Sequence, residues 1–298
     1  MSQEMKCNIC GCNSHEILYK SKSAAPKEDK YLITESRPNI PQEIIKCADC
    51  GLIYARPFLS QEKLKSFYIN MSDEEYKNEE SGRRISAKKI LNKLEKISKK
   101  GRILDVGCAT GFLLDEARRK SWETHGVELS KWCVEQAKNN LSLNVFCGPL
   151  DDARFEDDFF DAVVLNDVVE HLSDPKGTLV EIRRILKKGG VICINTPDID
   201  SFLSKLLKAK WWGINQAHLF YFTKGTLSRM LKVTGFLPAK FTRHPRTFSF
   251  KYWVFRFRNY NERIHNVLKF FAYHTPLGKI LLTINTADQI EVYAKNQK

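Results

Sequence analysis

The sequence predicts an α/β fold, a doubly wound Rossmann-like sheet, for the part of the chain that follows residue 100. Between residues 101 and 195, apolar runs of strand length alternate with helical repeats across short connections. This alternation is typical of a parallel sheet with helices on both faces. The run at residues 162–165 is apolar on both faces, as expected for a central parallel strand. Ligands of such sheets bind at the carboxyl ends of the strands.

The first strand of this sheet carries Asp105 and leads into a loop with small residues at every second place, Gly107, Ala109 and Gly111. Glycines allow a ligand to approach the backbone, and the N–H groups that begin the next helix can point at it. A dinucleotide fingerprint requires a glycine at the sixth place of the loop, where this chain has Phe112. The spacing therefore favours a different nucleotide-type cofactor.

The acidic residue and the three small residues resemble motif I of class I S-adenosylmethionine-dependent methyltransferases, whose middle glycine is here Ala109. The resemblance implies a seven-stranded methyltransferase sheet and a cofactor site at Asp105, Gly107, Ala109 and Gly111. A carboxylate at Asp105 suits a ligand that carries an ammonium and a sulfonium group. S-adenosylmethionine is therefore the expected cofactor.

The second strand, at residues 122–128, ends in Glu128, 17 residues beyond Gly111. A carboxylate at this place can accept hydrogen bonds from both ribose hydroxyls, as in dinucleotide folds and in the resembled family. We therefore assign Glu128 to the ribose. The alternative is a solvated acid at a strand end.

The third and fourth strands supply the remaining cofactor contacts. The resemblance implies that the Leu150 backbone N–H and the Asp151 carboxylate meet the adenine. The fourth strand ends at Asn166, and the segment after it resembles the family motif that lies along the methionine end of the cofactor. His171 in this segment is either a base near the methyl group or a polar anchor for the loop.

Two Cys-x-x-Cys pairs, each followed by glycine, stand 36 residues apart in the amino-terminal segment. Four thiolates in two such knuckles predict a tetrahedral zinc site, which is structural because no position stays open for water. A redox disulfide and a rubredoxin-like iron site are the alternatives. Cys12 is surplus to the four. The predicted metal ligands are Cys7, Cys10, Cys47 and Cys50.

The chain divides into a zinc-ribbon module at residues 1–60, a helical linker or lid at 61–100 and the methyltransferase domain at 101–298. Apolar residues recur at helical spacing within residues 81–100. Tyr68 and Tyr76 precede this helix and either fold over the cofactor or pack. Nine cysteines, no signal peptide and no run of about 20 apolar residues indicate a reducing cytoplasm.

Charge is unevenly distributed along the chain. Residues 101–200 carry 12 Lys/Arg and 18 Asp/Glu, whereas residues 201–298 carry 17 and 3, a net charge of +14. A surface that serves solubility alone mixes both signs, so this excess predicts an anionic partner. Sugar nucleotides, polyprenyl-phosphate glycolipids, membrane headgroups and RNA all qualify.

Residues 200–235 form the predicted acceptor-side segment. It begins as a basic amphipathic helix at 200–213 that ends in two tryptophans, followed by His-Leu-Phe-Tyr-Phe-Thr. This order resembles zinc-knuckle methyltransferases of bacterial glycan and sugar-nucleotide gene clusters. His218 could act as a general base near neutral pH, because an unperturbed histidine has a pKa of about 6.5. The alternative is a packed histidine.

A helical insertion that is rich in basic and aromatic residues is predicted at residues 246–286, before an antiparallel seventh strand at 289–294. The insertion is either a pair of helices packed on the sheet or a surface for a membrane, a glycan or nucleic acid.

The predicted function is S-adenosylmethionine-dependent methyl transfer, most plausibly to a hydroxyl of a sugar, a sugar nucleotide or a glycolipid intermediate. His218 is the preferred base and His171 the second. An RNA methyltransferase and a catalytically silent, zinc-containing nucleic-acid-binding protein are the alternatives. The predicted location is the cytoplasm, with peripheral contact at the inner face of the membrane through the basic last third.

Overall fold

The computed structural model describes residues 6–21, 42–56, 68–69, 72–258 and 262–298. The strands in chain order are β1 (His15–Tyr19), β2 (Glu43–Cys47), β3 (Ile53–Arg56), β4 (Arg102–Val106), β5 (Glu123–Glu128), β6 (Val145–Cys147), β7 (Phe160–Asn166), β8 (Leu186–Pro197), β9 (Phe220–Tyr221), β10 (Phe236–Thr242), β11 (Arg246–Ser249), β12 (Leu281–Ile284) and β13 (Gln289–Asn296). The α-helices are α1 (Glu74–Asn78), α2 (Glu80–Leu94), α3 (Phe112–Arg119), α4 (Lys131–Leu141), α5 (Pro175–Ile185), α6 (Phe202–Leu207), α7 (Lys224–Val233), α8 (Phe250–Phe257) and α9 (Glu262–His274).

Seven strands form the central sheet in the order β10-β13-β8-β7-β4-β5-β6. The strands from β8 to β6 are parallel, and β13 runs antiparallel to both of its neighbours. Alternate residues of β7 enter two different core clusters, Val163 in one and Val164 in the other. Both faces of the sheet are therefore covered. The predicted seven-stranded α/β sheet is confirmed.

Parallel pairing places the ends of three strands at the same edge of the sheet. Val106 of β4 is paired with Val127 of β5 and with Leu165 of β7. Glu128 and Asn166, each one residue further along, therefore lie beside the loop that follows β4. This edge is where ligands of open α/β sheets bind.

A second sheet joins the amino-terminal segment to the acceptor-side segment, with the order β1-β2-β3-β9. Ile53 and Tyr54 of β3 pair with Tyr221 and Phe220 of β9. The described part of the expected zinc-ribbon module is thus continuous with residues from the last third of the chain. A two-residue strand leaves no periodic signal, so this pairing is not visible in the sequence.

The predicted amphipathic helix at residues 200–213 is wrong beyond Leu207. At Lys208 the backbone turns to φ +48°, which ends α6. Trp211 is fully buried, and its indole N–H donates to Asp288 at 3.0 Å. Trp212 donates to the same carboxylate at 2.6 Å. Both tryptophans therefore fix the loop instead of extending an exposed helix face.

The linker helix also differs from expectation at its end, because the helix predicted at residues 81–100 ends at Leu94. Helix α5 begins at Pro175, where the Asp174 side chain caps the N–H of Gly177. The insertion expected at residues 246–286 holds two helices, α8 and α9. It also holds a two-stranded ribbon, β11 with β12, which was not predicted.

Candidate cofactor and acceptor site

A cavity of about 680 Å³ opens at the carboxyl ends of the central strands. Seven of the residues predicted from the sequence line it together: Gly107, Ala109, Glu128, Leu150, Asp151, Asn166 and His171. They come from separate chain segments, and only the strand order brings them to one place. A cavity of this volume is of the size that holds a cofactor.

The loop after β4 has positive φ angles, which few residues other than glycine adopt. Gly107 has φ +71°, and a Cβ there would lie 2.7 Å from Val168 Cγ2. Ala109 has φ +46°, a conformation that costs a non-glycine residue about 1 kcal/mol or more. Its N–H donates to Glu128 Oε2 at 2.9 Å. The carboxylate at the end of β5 therefore holds the loop in shape.

Glu128 is buried and accepts two backbone hydrogen bonds, from Ala109 to Oε2 and from Ser130 to Oε1 at 2.8 Å. Burial raises the pKa of this carboxyl, while the backbone N–H groups act in the opposite direction. Each carboxylate oxygen can accept more than one hydrogen bond. Glu128 can therefore fix the loop and still accept from a ligand hydroxyl in the cavity.

Asp105 lines a smaller cavity of about 70 Å³ next to the large one, and Gly107 and Asn166 line both. Burial and the charge of Glu128 raise the pKa of the Asp105 carboxyl well above its usual range. A cationic group bound nearby would offset this unfavourable burial. Asp105 therefore suits a ligand that carries positive charge.

Gly111 is the one predicted cofactor residue of the loop that lines neither cavity. It caps α3 with φ +84°, and a Cβ there would lie 2.4 Å from Leu143 Cδ1. The structure thus gives Gly111 a packing role between α3 and the segment after α4.

A tyrosine and an arginine of the linker cover the loop. Tyr76 lines both cavities and stacks on Phe112 with ring centroids 6.3 Å apart. The Arg83 guanidinium lies 3.5 Å from the Tyr76 ring centroid and also lines both cavities. Arg83 was not predicted, because one basic residue in a charged helix carries no distinguishing signal.

The two predicted catalytic histidines lie together beside the cavity. His171 lines the cavity and His218 lies behind it, with ring centroids 4.6 Å apart in an edge-to-face arrangement. Burial lowers the pKa of His171 to about 4. Burial and the neighbouring His171 lower the pKa of His218 well below its usual value. Both rings are therefore neutral near pH 7, and the same burial makes each a weaker base than a free imidazole.

Glu170 is a buried carboxylate that sequence reasoning missed as a site residue. It is 1% exposed, and Thr196 donates its hydroxyl to Oε2 at 2.9 Å. Burial and the charge of Asp167 raise the Glu170 pKa to about 8. Its position directly before His171 was the available signal, but an acid in a turn after a strand is usually solvated.

The four predicted cysteine ligands form one cluster, in which all four Sγ atoms lie within 4.8 Å of one another. Cys7 and Cys50 are 3.3 Å apart and Cys10 and Cys47 are 3.6 Å apart. Sulfurs around one zinc at 2.3 Å lie about 3.8 Å apart, so this donor set fits a tetrahedral metal. Cys12 lies outside the cluster, and its Sγ accepts from the Ser14 N–H.

Glycines shape both knuckles of the cluster. Gly11 and Gly51 have nearly equal φ values of +75° and +74°, and their N–H groups donate to the carbonyls of Cys7 and Cys47. The first knuckle also contacts the central domain, because the Asn8 side chain donates to Asp174 at 2.8 Å. The cluster is therefore attached to the end of the sheet that carries the cavity.

A family model and several known proteins match part of this chain. The model of the family described as "Methyltransferase domain" matches residues 79–238. An uncharacterised protein of Methanocaldococcus jannaschii is 33% identical over 174 residues, which cover 57% of this chain and 80% of that protein. The ubiquinone/menaquinone biosynthesis C-methyltransferase UbiE of Geotalea daltonii is 31% identical over 175 residues, which cover 54% of this chain and 65% of that enzyme.

Among the solved structures that share the fold is one from the complex between the Haloferax volcanii Trm112 methyltransferase activator and a methyltransferase. It has a TM-score of 0.51 and 18% identity, and the match covers 72% of this chain and 91% of that one. At this identity the likeness shows the fold alone.

Proposed function

This chain belongs to the methyltransferase-domain family, and we propose that it transfers a methyl group from S-adenosylmethionine to an oxygen of a sugar, a sugar nucleotide or a glycolipid intermediate. The observation that carries the proposal is the cavity, in which the predicted ribose, adenine and loop residues meet. Glu128 is assigned to the ribose, Leu150 and Asp151 to the adenine, and Asn166 to the methionine end.

The reaction is an in-line displacement. S-adenosylmethionine held by Glu128, Leu150, Asp151 and Asn166 would supply an activated methyl group, and an acceptor oxygen would displace it in line from the sulfur to leave S-adenosylhomocysteine. The enzyme chiefly has to place the acceptor and exclude water, because the sulfonium already activates the methyl group. The acceptor proton leaves to a base. His218 and His171 stay the predicted bases, and of the two only His171 lines the cavity.

The charge distribution supports an anionic acceptor. Residues 201–298 carry a net charge of +14, and Arg246 from this part lines the smaller cavity. Its guanidinium donates to Asp167 at 3.0 Å. A carbon acceptor, as the name of the Geotalea relative indicates for that enzyme, would first need activation as an enolate. Oxygen is the simpler acceptor because it needs no such activation, only the removal of its proton.

A labelled-methyl assay tests the acceptor class. We expect incubation with labelled S-adenosylmethionine to label one member of a panel of uridine-, guanosine- and thymidine-diphosphate sugars or a polyprenyl-phosphate glycan. Label that appears only in the RNA of a total extract would support the alternative acceptor and contradict the glycan proposal. A gel shift with RNA at several salt concentrations complements this assay, because non-specific phosphate binding weakens steeply as salt rises.

We also propose that the cysteine cluster holds one structural zinc ion. The support is the fit of the four sulfurs and the two left-handed glycine turns. Four protein ligands leave no position open for substrate, so the ion would stabilise this sheet and take no part in the displacement.

We further propose that the carboxyl-terminal insertion contacts an anionic membrane surface. On α9, Ile264, Val267 and Phe271 follow helical spacing and are each more than two-fifths exposed. Lys251 of α8 lies 4.9 Å from the ring of Tyr273 on α9, so positive charge also lies close to this helix. None of the helices within the described ranges is long and apolar enough to cross a membrane.

Vesicle flotation tests this contact. We expect the protein to float with phosphatidylglycerol vesicles, to float less with phosphatidylcholine, and to be released by high salt. The double variant Val267→Glu/Phe271→Glu should lose most of the flotation, because it places two charges on the apolar face. Val233→Glu is the matched control, since Val233 is 50% exposed on α7. Equal loss in the control variant would contradict the assignment to α9.

A further inference from the structure

Three potential metal ligands meet behind the acceptor end of the cavity. One ligand atom from each of Glu170, His171 and His218 lies within 4.8 Å of the others. Glu170 and His171 lie in a 3₁₀ turn after β7, and His218 comes from the segment that precedes β9. Atoms bound to one ion at about 2.0–2.2 Å lie about 3 to 4 Å apart. Small side-chain adjustments therefore bring all three to one ion.

Backbone carbonyls fix the orientation of both rings. His218 Nδ1 lies 2.7 Å from the Gly213 carbonyl, and His171 Nδ1 lies 3.0 Å from the Ala217 carbonyl. A carbonyl only accepts, so the Nδ1 of His218 carries the proton and its Nε2 carries the lone pair. The Tyr68 hydroxyl also lies 3.0 Å from His171 Nδ1 and can donate or accept there. Metal-binding histidines usually have this arrangement, with the other ring nitrogen donating to a carbonyl or carboxylate.

Glu170 would supply the oxygen ligand of this group, and one of its two oxygens still needs a partner. Its Oε2 accepts from Thr196, which orients the carboxylate, whereas its Oε1 is buried without a hydrogen-bond partner among the described residues. A buried, unpaired carboxylate oxygen is costly, and a ligand atom of each histidine ring lies within 4.8 Å of a Glu170 oxygen. A cation bound among the three groups would pair this oxygen.

We propose that Glu170, His171 and His218 bind one divalent cation of the first transition series beside the cavity. Two imidazole nitrogens and one carboxylate oxygen suit Mn²⁺, Fe²⁺, Co²⁺ or Zn²⁺ and leave further positions open. His171 lines the cavity, so the open positions are reached from it.

The role of this cation rests on the proposed function, although its binding does not. An acceptor hydroxyl bound to the cation would lose its proton to water more readily, as metal-bound water does. The alkoxide would then form the new O–C bond while the C–S bond breaks. His171 and His218 would act as metal ligands, and neither would have to serve as the base.

The experiment is a calorimetric titration of the full-length, zinc-replete protein with Mn²⁺ and, separately, with Co²⁺. We expect one ion to bind per chain, at a site other than the cysteine cluster. Glu170→Gln and His218→Asn should each weaken binding at least about 10-fold. Asp152→Asn is the matched control, since Asp152 is a carboxylate of the same cavity outside the cluster, and it should bind as the parent protein does.

Two further measurements distinguish a failure of the metal site from a failure of the proposed function. Zinc content and S-adenosylmethionine affinity are measured for every variant, and retention of both shows that a variant is folded. The metal site is overturned if neither ion binds to the parent protein, or if the folded Glu170 and His218 variants bind as tightly as the parent. Metal binding without S-adenosylmethionine binding would contradict the proposed function and leave the metal site standing.

Discussion

Glu128→Ala is expected to weaken S-adenosylmethionine binding roughly 100-fold. The substitution removes two hydrogen bonds from ribose hydroxyls to a charged acceptor, worth together about 3 kcal/mol or more. It also removes the acceptor of the Ala109 and Ser130 N–H groups. Ala109 would then be released from its left-handed conformation, and the loop would no longer present its backbone to the cofactor.

Equilibrium dialysis with labelled S-adenosylmethionine measures this effect. The matched control is Glu123→Ala, because Glu123 lies at the opposite end of the same strand and its side chain is 58% exposed. We expect the control to bind as the parent protein does. If both substitutions weaken binding equally, the loss comes from strand β5 in general and the ribose assignment is wrong.

Cys10→Ser is expected to release the metal of the cysteine cluster and to reduce methyl transfer at least about 10-fold, while S-adenosylmethionine affinity is retained. The reason is the connection between the cluster and the acceptor end. The Ala55 N–H donates to the Leu219 carbonyl at 2.8 Å, and the Leu219 N–H donates to the Glu170 carbonyl at 2.8 Å. A loosened amino-terminal sheet therefore displaces the segment that carries His218, whereas the loop at Gly107 is built by other strands.

Metal analysis, dialysis and a turnover assay on the same samples measure the three quantities. Cys12→Ser is the control, since Cys12 is two residues away and outside the cluster. We expect about one zinc per chain in the parent and the control, and less in Cys10→Ser. Iron in the parent protein would contradict the zinc assignment. Parallel loss of cofactor affinity and turnover would contradict the structural role given to the cluster.

The cavity lining at the ends of β4 and β5 could be predicted from the sequence because its signals are local. Asp105, Gly107 and Ala109 lie in one turn, and Glu128 ends the next strand. Parallel strands in a doubly wound sheet align their carboxyl ends, so strand order alone assembles these residues. Gly111 shows the limit of this reasoning, because a motif position can serve helix packing instead of the ligand.

The acceptor half depends on contacts between distant segments. The pairing of β3 with β9 joins residues more than 160 positions apart, and it is too short to show a periodic pattern. The burial of Glu170 and Trp211 follows from that packing. An acid and a tryptophan in polar, basic surroundings predict exposure when read from sequence alone. Tertiary structure was needed to show that Glu170, His171 and His218 form one group.

The central claim is that the cavity holds S-adenosylmethionine and not a dinucleotide. Its most direct test is calorimetric titration of the full-length protein with S-adenosylmethionine and, separately, with NAD. We expect one S-adenosylmethionine per chain and no binding of NAD, because Phe112 occupies the place where a dinucleotide loop requires glycine. Absence of binding by S-adenosylmethionine, or tighter binding by NAD, would contradict the claim.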